Sequence, residues 1–146
     1  MANQKPQSFE NHVRIVPPFH IGVLTTFLVN VVYRIYNLRN GVTFESVFAI
    51  FMAVALITFA LYARLFVMTV QDRIIRLEMR LRLERLLAAD LRARIPEFTV
   101  SQLIALRFAS DAELPALARK VLDEKLTDRK AIKQLVKEWE PDYLRV

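Results

Sequence analysis

The eighteen residues Ser46–Ala63, SVFAIFMAVALITFALYA, carry no charge and stand between Glu45 and Arg64. They lie inside a longer apolar stretch, Phe44–Val70, which follows another, Val16–Leu38, after five residues. A hydrocarbon core about 30 Å thick takes roughly 20 helical residues to cross. Both stretches have that length. The fold class that follows is all-α: a transmembrane helical hairpin continuing into an amphipathic stalk helix and a small cytoplasmic helical tail. The chain divides into an N-terminal cytoplasmic segment over 1–15, the hairpin over 16–70, the basic stalk over 71–95 and the short-helix tail over 96–146.

Two other readings of the apolar stretches fail. A soluble chain of 146 residues could not surround two helices that are apolar all round. A cleaved signal peptide would show small residues after its apolar run, and Tyr33-Arg34-Ile35-Tyr36 stands there instead. Pro17-Pro18 suits the start of the first helix, because proline's fixed φ and missing N–H cost little in a first turn. Asn37–Gly41 supplies the turn, with Gly41 able to take positive φ.

Composition supports helix: only two glycines and six prolines occur, amid abundant leucine, alanine, arginine and glutamate. With no cysteine, disulfides, thiolate chemistry and cysteine-held zinc or iron–sulfur are excluded. The net charge of +6 is concentrated: Arg64–Arg94 carries +4, while everything after Arg94 sums to zero. Eight arginines lie between Arg64 and Arg94, against Arg34 and Arg39 in the connecting region. The positive-inside rule then places the tail, and with two spans the N-terminus as well, in the cytoplasm.

Polar groups within the spans are costly and therefore worth following. Arg34 and Glu45 reach similar depth in an antiparallel hairpin, so they either pair across it or each snorkel to headgroups. Asn30 lies deeper and could hydrogen-bond a neighbouring helix. His12 and His20 lack nearby carboxylates in a ligand pattern and read as interfacial.

Along the stalk, Val70, Ile74, Leu77, Leu81, Ala88, Leu91 and Ile95 follow a four–three spacing, with Glu84 interrupting the row. Met79, Leu83, Leu86 and Leu87 widen the apolar face, enough to pack on the tail or on a second subunit. Ile74, Leu77, Leu81 and Leu91, with Asn30, are the expected association residues. Arg64, Arg73, Arg76, Arg80, Arg82 and Arg85 are the expected topology and headgroup residues, since juxtamembrane clusters attract anionic lipid. The alternative for the arginines is a solvated, salt-paired face, in which Glu78 and Arg82 form an i,i+4 pair. Nucleic-acid binding is disfavoured by the lack of interleaved aromatics or a known motif.

Three capped helices are expected in the tail. Thr99-Val100-Ser101-Gln102 and Ser110-Asp111-Ala112-Glu113 both read as capping boxes. Thr127 or Asp128 opens a last helix, Arg129–Trp139, closed by Pro141. A tail of about 50 residues is marginal alone and should need the stalk or a partner.

No nucleophile stands beside a histidine, no glycine-rich phosphate loop exists, and the tail carboxylates sit at helix ends or beside cations. The expectation is a protein that is no enzyme, with no catalytic residues, metal, cofactor or small-molecule substrate.

Asp72-Arg73-Ile74-Ile75-Arg76-Leu77-Glu78-Met79-Arg80-Leu81-Arg82, Gln102-Leu103-Ile104-Ala105-Leu106-Arg107-Phe108-Ala109-Ser110-Asp111 and Trp139-Glu140-Pro141-Asp142-Tyr143-Leu144-Arg145-Val146 resemble an uncharacterised family of short bacterial inner-membrane proteins. Phe9-Glu10-Asn11-His12, Val16-Pro17 and Phe19-His20 are similar too. The resemblance implies a two-span protein of the bacterial inner membrane and, for a domain of unknown function, no transferable site residues. The leading expectation is an assembly or accessory subunit, self-associating or within a larger membrane complex. A small oligomeric channel or transporter component, motivated by Asn30 and Arg34, is the alternative; a membrane-tethered nucleic-acid binder is the third.

Overall fold

The computed structural model describes residues 8–9 and 16–142. His12, most of the N-terminal segment and residues 143–146 lie outside the described residues. The described chain is helical, with one isolated bridge, Ala109 to Trp139, and no strand. It divides into one unit over Ile15–Met68 and another that holds Thr69–Val146.

The first unit is an apolar helical hairpin. A π-helical turn over Pro18–Val23 leads into α1, Leu24–Asn37, and a 3-10 turn at Leu38–Asn40. Gly41, at φ 130°, makes the expected positive-φ turn. Thr43 and Ser46 then cap the next helix reciprocally: the Thr43 N–H donates to Ser46 Oγ at 2.9 Å, and the Ser46 N–H to Thr43 Oγ1 at 3.2 Å. That helix, α2, runs unbroken over Phe44–Leu86, 43 residues. Two helices, Pro18–Asn40 and Phe44–Leu86, are long and apolar enough to cross a membrane. The hydroxyls inside them bond within their own helix, Thr26 Oγ1 to the Gly22 carbonyl and Thr58 Oγ1 to that of Val54.

Within the hairpin, α2 buries Ala53 and Ala60, with Ile50 and Ile57 half-buried in the same heptad row. Leu24, Phe27, Asn30 and Val31 form the half-buried row of α1. The remaining faces are bare: Phe51, Phe59 and Leu61 stay 68%, 70% and 46% exposed.

In the second unit the last turns of α2 supply one wall of the core. Ile75, Met79 and Leu83 pack with Leu103, Leu106, Leu114, Val121 and Ile132. The tail is therefore completed by the stalk. The helix ends at Leu86 rather than continuing towards Ile95, because Ala88 is extended (φ −65°, ψ 160°). No proline or glycine marks that break; it lets Leu87, Leu91 and Ile95 turn into the same core as Leu83. The Leu87 carbonyl accepts from Arg92 Nη2 at 3.0 Å.

Short helices follow: α3 (Ala89–Arg92), α4 (Val100–Leu106), α5 (Leu114–Asp123) and α6 (Arg129–Gln134). Thr99 and Gln102 form the expected capping box on α4, and Gln102 Nε2 also donates to the Leu126 carbonyl at 2.8 Å. Asp128 caps α6. The second box forms only in part. Ser110 Oγ accepts from the Glu113 N–H at 3.2 Å, but the Glu113 carboxylate takes the N–H groups of Lys137 and Glu138 instead. That capture ends α6 at Gln134, not Trp139. The following residues pair with the α4–α5 loop, Ser110 N–H to the Glu138 carbonyl and Glu140 N–H to that of Phe108.

Candidate functional site

The basic stretch that follows the apolar part of α2 is where the charge is concentrated, and the structure sorts its arginines into different tasks. Arg82 is the most committed. Its guanidinium donates to Asp111 Oδ1 at 2.7 Å, Glu140 Oε2 at 2.6 Å, and the carbonyls of Arg107 at 3.1 Å and Ala109 at 2.8 Å. The planar fork suits that array of acceptors. Arg82 is thus a clasp between α2, the α4–α5 loop and the chain's last described residues. It is not available to a headgroup, and it does not form the i,i+4 pair with Glu78. Arg85 joins the same carboxylate, reaching Asp111 Oδ2 at 3.3 Å.

Arg73 and Arg76 are exposed. Neither makes an ion pair among the described residues. Arg64 is half-buried, its guanidinium 6.0 Å from the centre of the Phe19 ring. Arg80 lines an open cavity of about 480 Å³ with Glu84, Arg92, Ala93, Ile95 and Pro96. Its Nε is buried without a hydrogen-bond partner among the described residues.

Deeper in the tail, Arg94 bonds Glu97 at 3.2 Å and Asp123 at 2.7 Å, and these bonds raise its already high pKa. The bond from Arg119 Nη2 to Asp90 Oδ2, 2.6 Å long, holds the Asp90 carboxyl below the usual carboxylate range, with help from the Leu91 N–H. Phe108 and Trp139 stack at 4.4 Å, with Arg107 at 4.5 Å and the buried Lys133 at 5.0 Å over the Phe108 ring. The sequence does not announce that cluster, because Lys133 and Trp139 are distant along the chain from Arg107-Phe108 and share no periodicity with them.

The expected association residues part company. Leu91 is buried in the tail core at 2% exposure, so it cannot belong to an outward row. Ile74, Leu77 and Leu81 are 51%, 61% and 59% exposed on the face of α2 away from the tail. The second apolar row, Met79 and Leu83, is the one that the tail covers. In the hairpin, Asn30 Oδ1 accepts from Arg34 Nε at 3.4 Å. No ion pair joins Arg34 to Glu45 among the described residues; Arg34 turns along its own helix instead. No group of three or more histidine, cysteine or acidic side chains able to hold a metal occurs among the described residues.

A family model described as a family of unknown function, DUF6526, matches residues 1–146. The chain belongs to that family. The DUF6526 chain has no match among curated proteins and none among solved structures.

Proposed function

We propose that this DUF6526 chain is a non-enzymatic integral protein of the bacterial inner membrane, a two-span anchor whose cytoplasmic helices act in assembly. The observation that carries the reading is the change of surroundings along α2. From Phe44 to Val70 large apolar side chains are exposed on several sides, as at Phe44 (84%), Phe51 (68%) and Phe66 (66%). Monomeric soluble proteins rarely expose contiguous apolar surface beyond a few hundred Å². Lipid is the solvent that such a surface suits, and the arginines beyond it fit a cytoplasmic position. Arg73 and Arg76 are the residues free to meet anionic headgroups, each worth about 1 kcal/mol near the surface.

Assembly, as a homo-oligomer or an accessory subunit of a larger membrane complex, is supported by the apolar row that the tail leaves uncovered. The test is purification in mild detergent with native mass determination. The expected species is larger than the 17.0 kDa chain, whether as copies or with a partner. A strict monomer at every detergent and protein concentration would count against assembly.

A further inference from the structure

Val67, Val70, Ile74, Leu77 and Leu81 repeat at three–four spacing on α2, and all five are exposed. Ile75, Met79 and Leu83, on the other side of the helix, hold the tail. Asp72, Arg73, Arg76, Glu78 and Arg80 interleave with the row, so its C-terminal half does not suit acyl chains. In heptad terms Val67, Ile74 and Leu81 take one seam position and Val70 and Leu77 the other. A β-branched residue at the first with leucine at the second, as at Ile74 and Leu77, favours two parallel strands. Glu84 falls at the next seam position and ends the row.

The flanking charges are complementary for the same arrangement. Arg73 precedes one seam position and Glu78 follows the next, five residues on, the spacing at which charges pair between parallel, in-register helices. Neither makes an ion pair among the described residues, and Arg82, the intrahelical candidate for Glu78, is taken by Asp111 and Glu140. The next flanking pair, Arg80 and Arg85, has like charge. It is relieved where Arg85 reaches Asp111 at 3.3 Å and Arg80 turns to the cavity with Glu84.

We infer that this row is a seam through which α2 pairs, parallel and in register, with α2 of a second copy of the chain. The inference rests on the membrane reading, since copies inserted with one topology present α2 in one direction and at one depth. It names the partner that the assembly reading leaves open.

The cysteine-free chain allows a direct test in native membranes. Ile74→Cys, Leu77→Cys and, as an exposed control off the row, Arg76→Cys are oxidised and run without reductant, after carbonate extraction of a parallel sample. The expected result is a disulfide-linked dimer from Ile74→Cys and Leu77→Cys and little from Arg76→Cys. Arg73→Glu should reduce the linked fraction of Leu77→Cys, and adding Glu78→Arg should restore it. Two symmetric exposed pairs correspond to roughly a fivefold change in the association constant. Equal linking at all three positions, no linking, or linking only to another protein would overturn the seam if the chain resists carbonate. Release of the chain by carbonate would instead overturn the membrane reading itself.

Discussion

The two parts of α2 share one unbroken backbone and both carry large apolar side chains, yet they treat those side chains differently. Between Phe44 and Met68 only an alanine-bearing seam is buried, and phenylalanines point outward on the remaining faces. Between Thr69 and Leu86 one apolar row closes the tail core, another stays exposed, and charge fills the gaps. Apolarity alone therefore does not specify a protein core. What separates the two parts is the presence of charge on every turn of the second, which belongs with water, and its absence from the eighteen residues Ser46–Ala63 of the first.

Aspartate substitution should break that comparison most sharply. Phe59→Asp touches an exposed side chain, so in water it would be harmless, whereas in lipid it costs about 3 kcal/mol. Loss of membrane integration, read by fractionation, is the expected outcome. Leu83→Asp should leave integration intact and unfold the tail, read by protease sensitivity of the region after Leu86. Membrane integration of Phe59→Asp unchanged from that of the parent chain would contradict the lipid-facing assignment.

Arg82→Ala probes what charge does in the second part. It strands two carbonyls and two half-exposed carboxylates that converge on one guanidinium. A loss of about 2 kcal/mol is expected, mostly from the two part-buried carbonyls that lose their donor, since the carboxylates regain water. Arg73→Ala, on an exposed side chain, should change stability by less than about 0.5 kcal/mol. Denaturant titration followed by Trp139 fluorescence compares the two, since the indole stacks on Phe108.

A smaller effect of opposite sign is expected at Lys125, which sits at φ 51° after α5. Its N–H bonds the Leu122 carbonyl and the next N–H, from Leu126, that of Val121, closing the helix end. Lys125→Gly removes the cost of a side chain there and should raise tail stability by about 0.5–1 kcal/mol in the same titration. The least effect concerns pH. The Asp90 carboxyl is held below its ordinary range by the bond from Arg119, so folding favours its charged form. Its contribution is complete above the unfolded-state pKa and is lost as pH falls through the lower folded value. Arg119→Leu should move the Asp90 titration, followed by carboxyl NMR, up towards the ordinary range. An unmoved titration would assign the shift to the Leu91 N–H.

Much of this was legible along the chain. Charge-free runs and helical periodicity located both long helices and the continuation of the second into the stalk; Gly41, Thr99 and Asp128 punctuated it as their side chains require. What escaped depends on contacts distant in sequence. Glu113 reads as a helix cap until the segment at Lys137 offers it two N–H groups, and Arg82 reads as one arginine among eight. Two apolar rows on one helix were visible, but which of them the tail would cover was not, because either could seal a core. Leu91 fell on the wrong side for that reason: the bend at Ala88 changes the row to which it belongs.

The lipid-facing assignment of the first part of α2 is tested most directly by contact quenching. With Trp139→Phe removing the single native tryptophan, Phe59→Trp is placed in bilayers whose acyl chains are brominated. Strong quenching relative to ordinary lipid is expected, with little for the same substitution at Leu81. Equal emission at position 59 in both lipids would contradict the assignment.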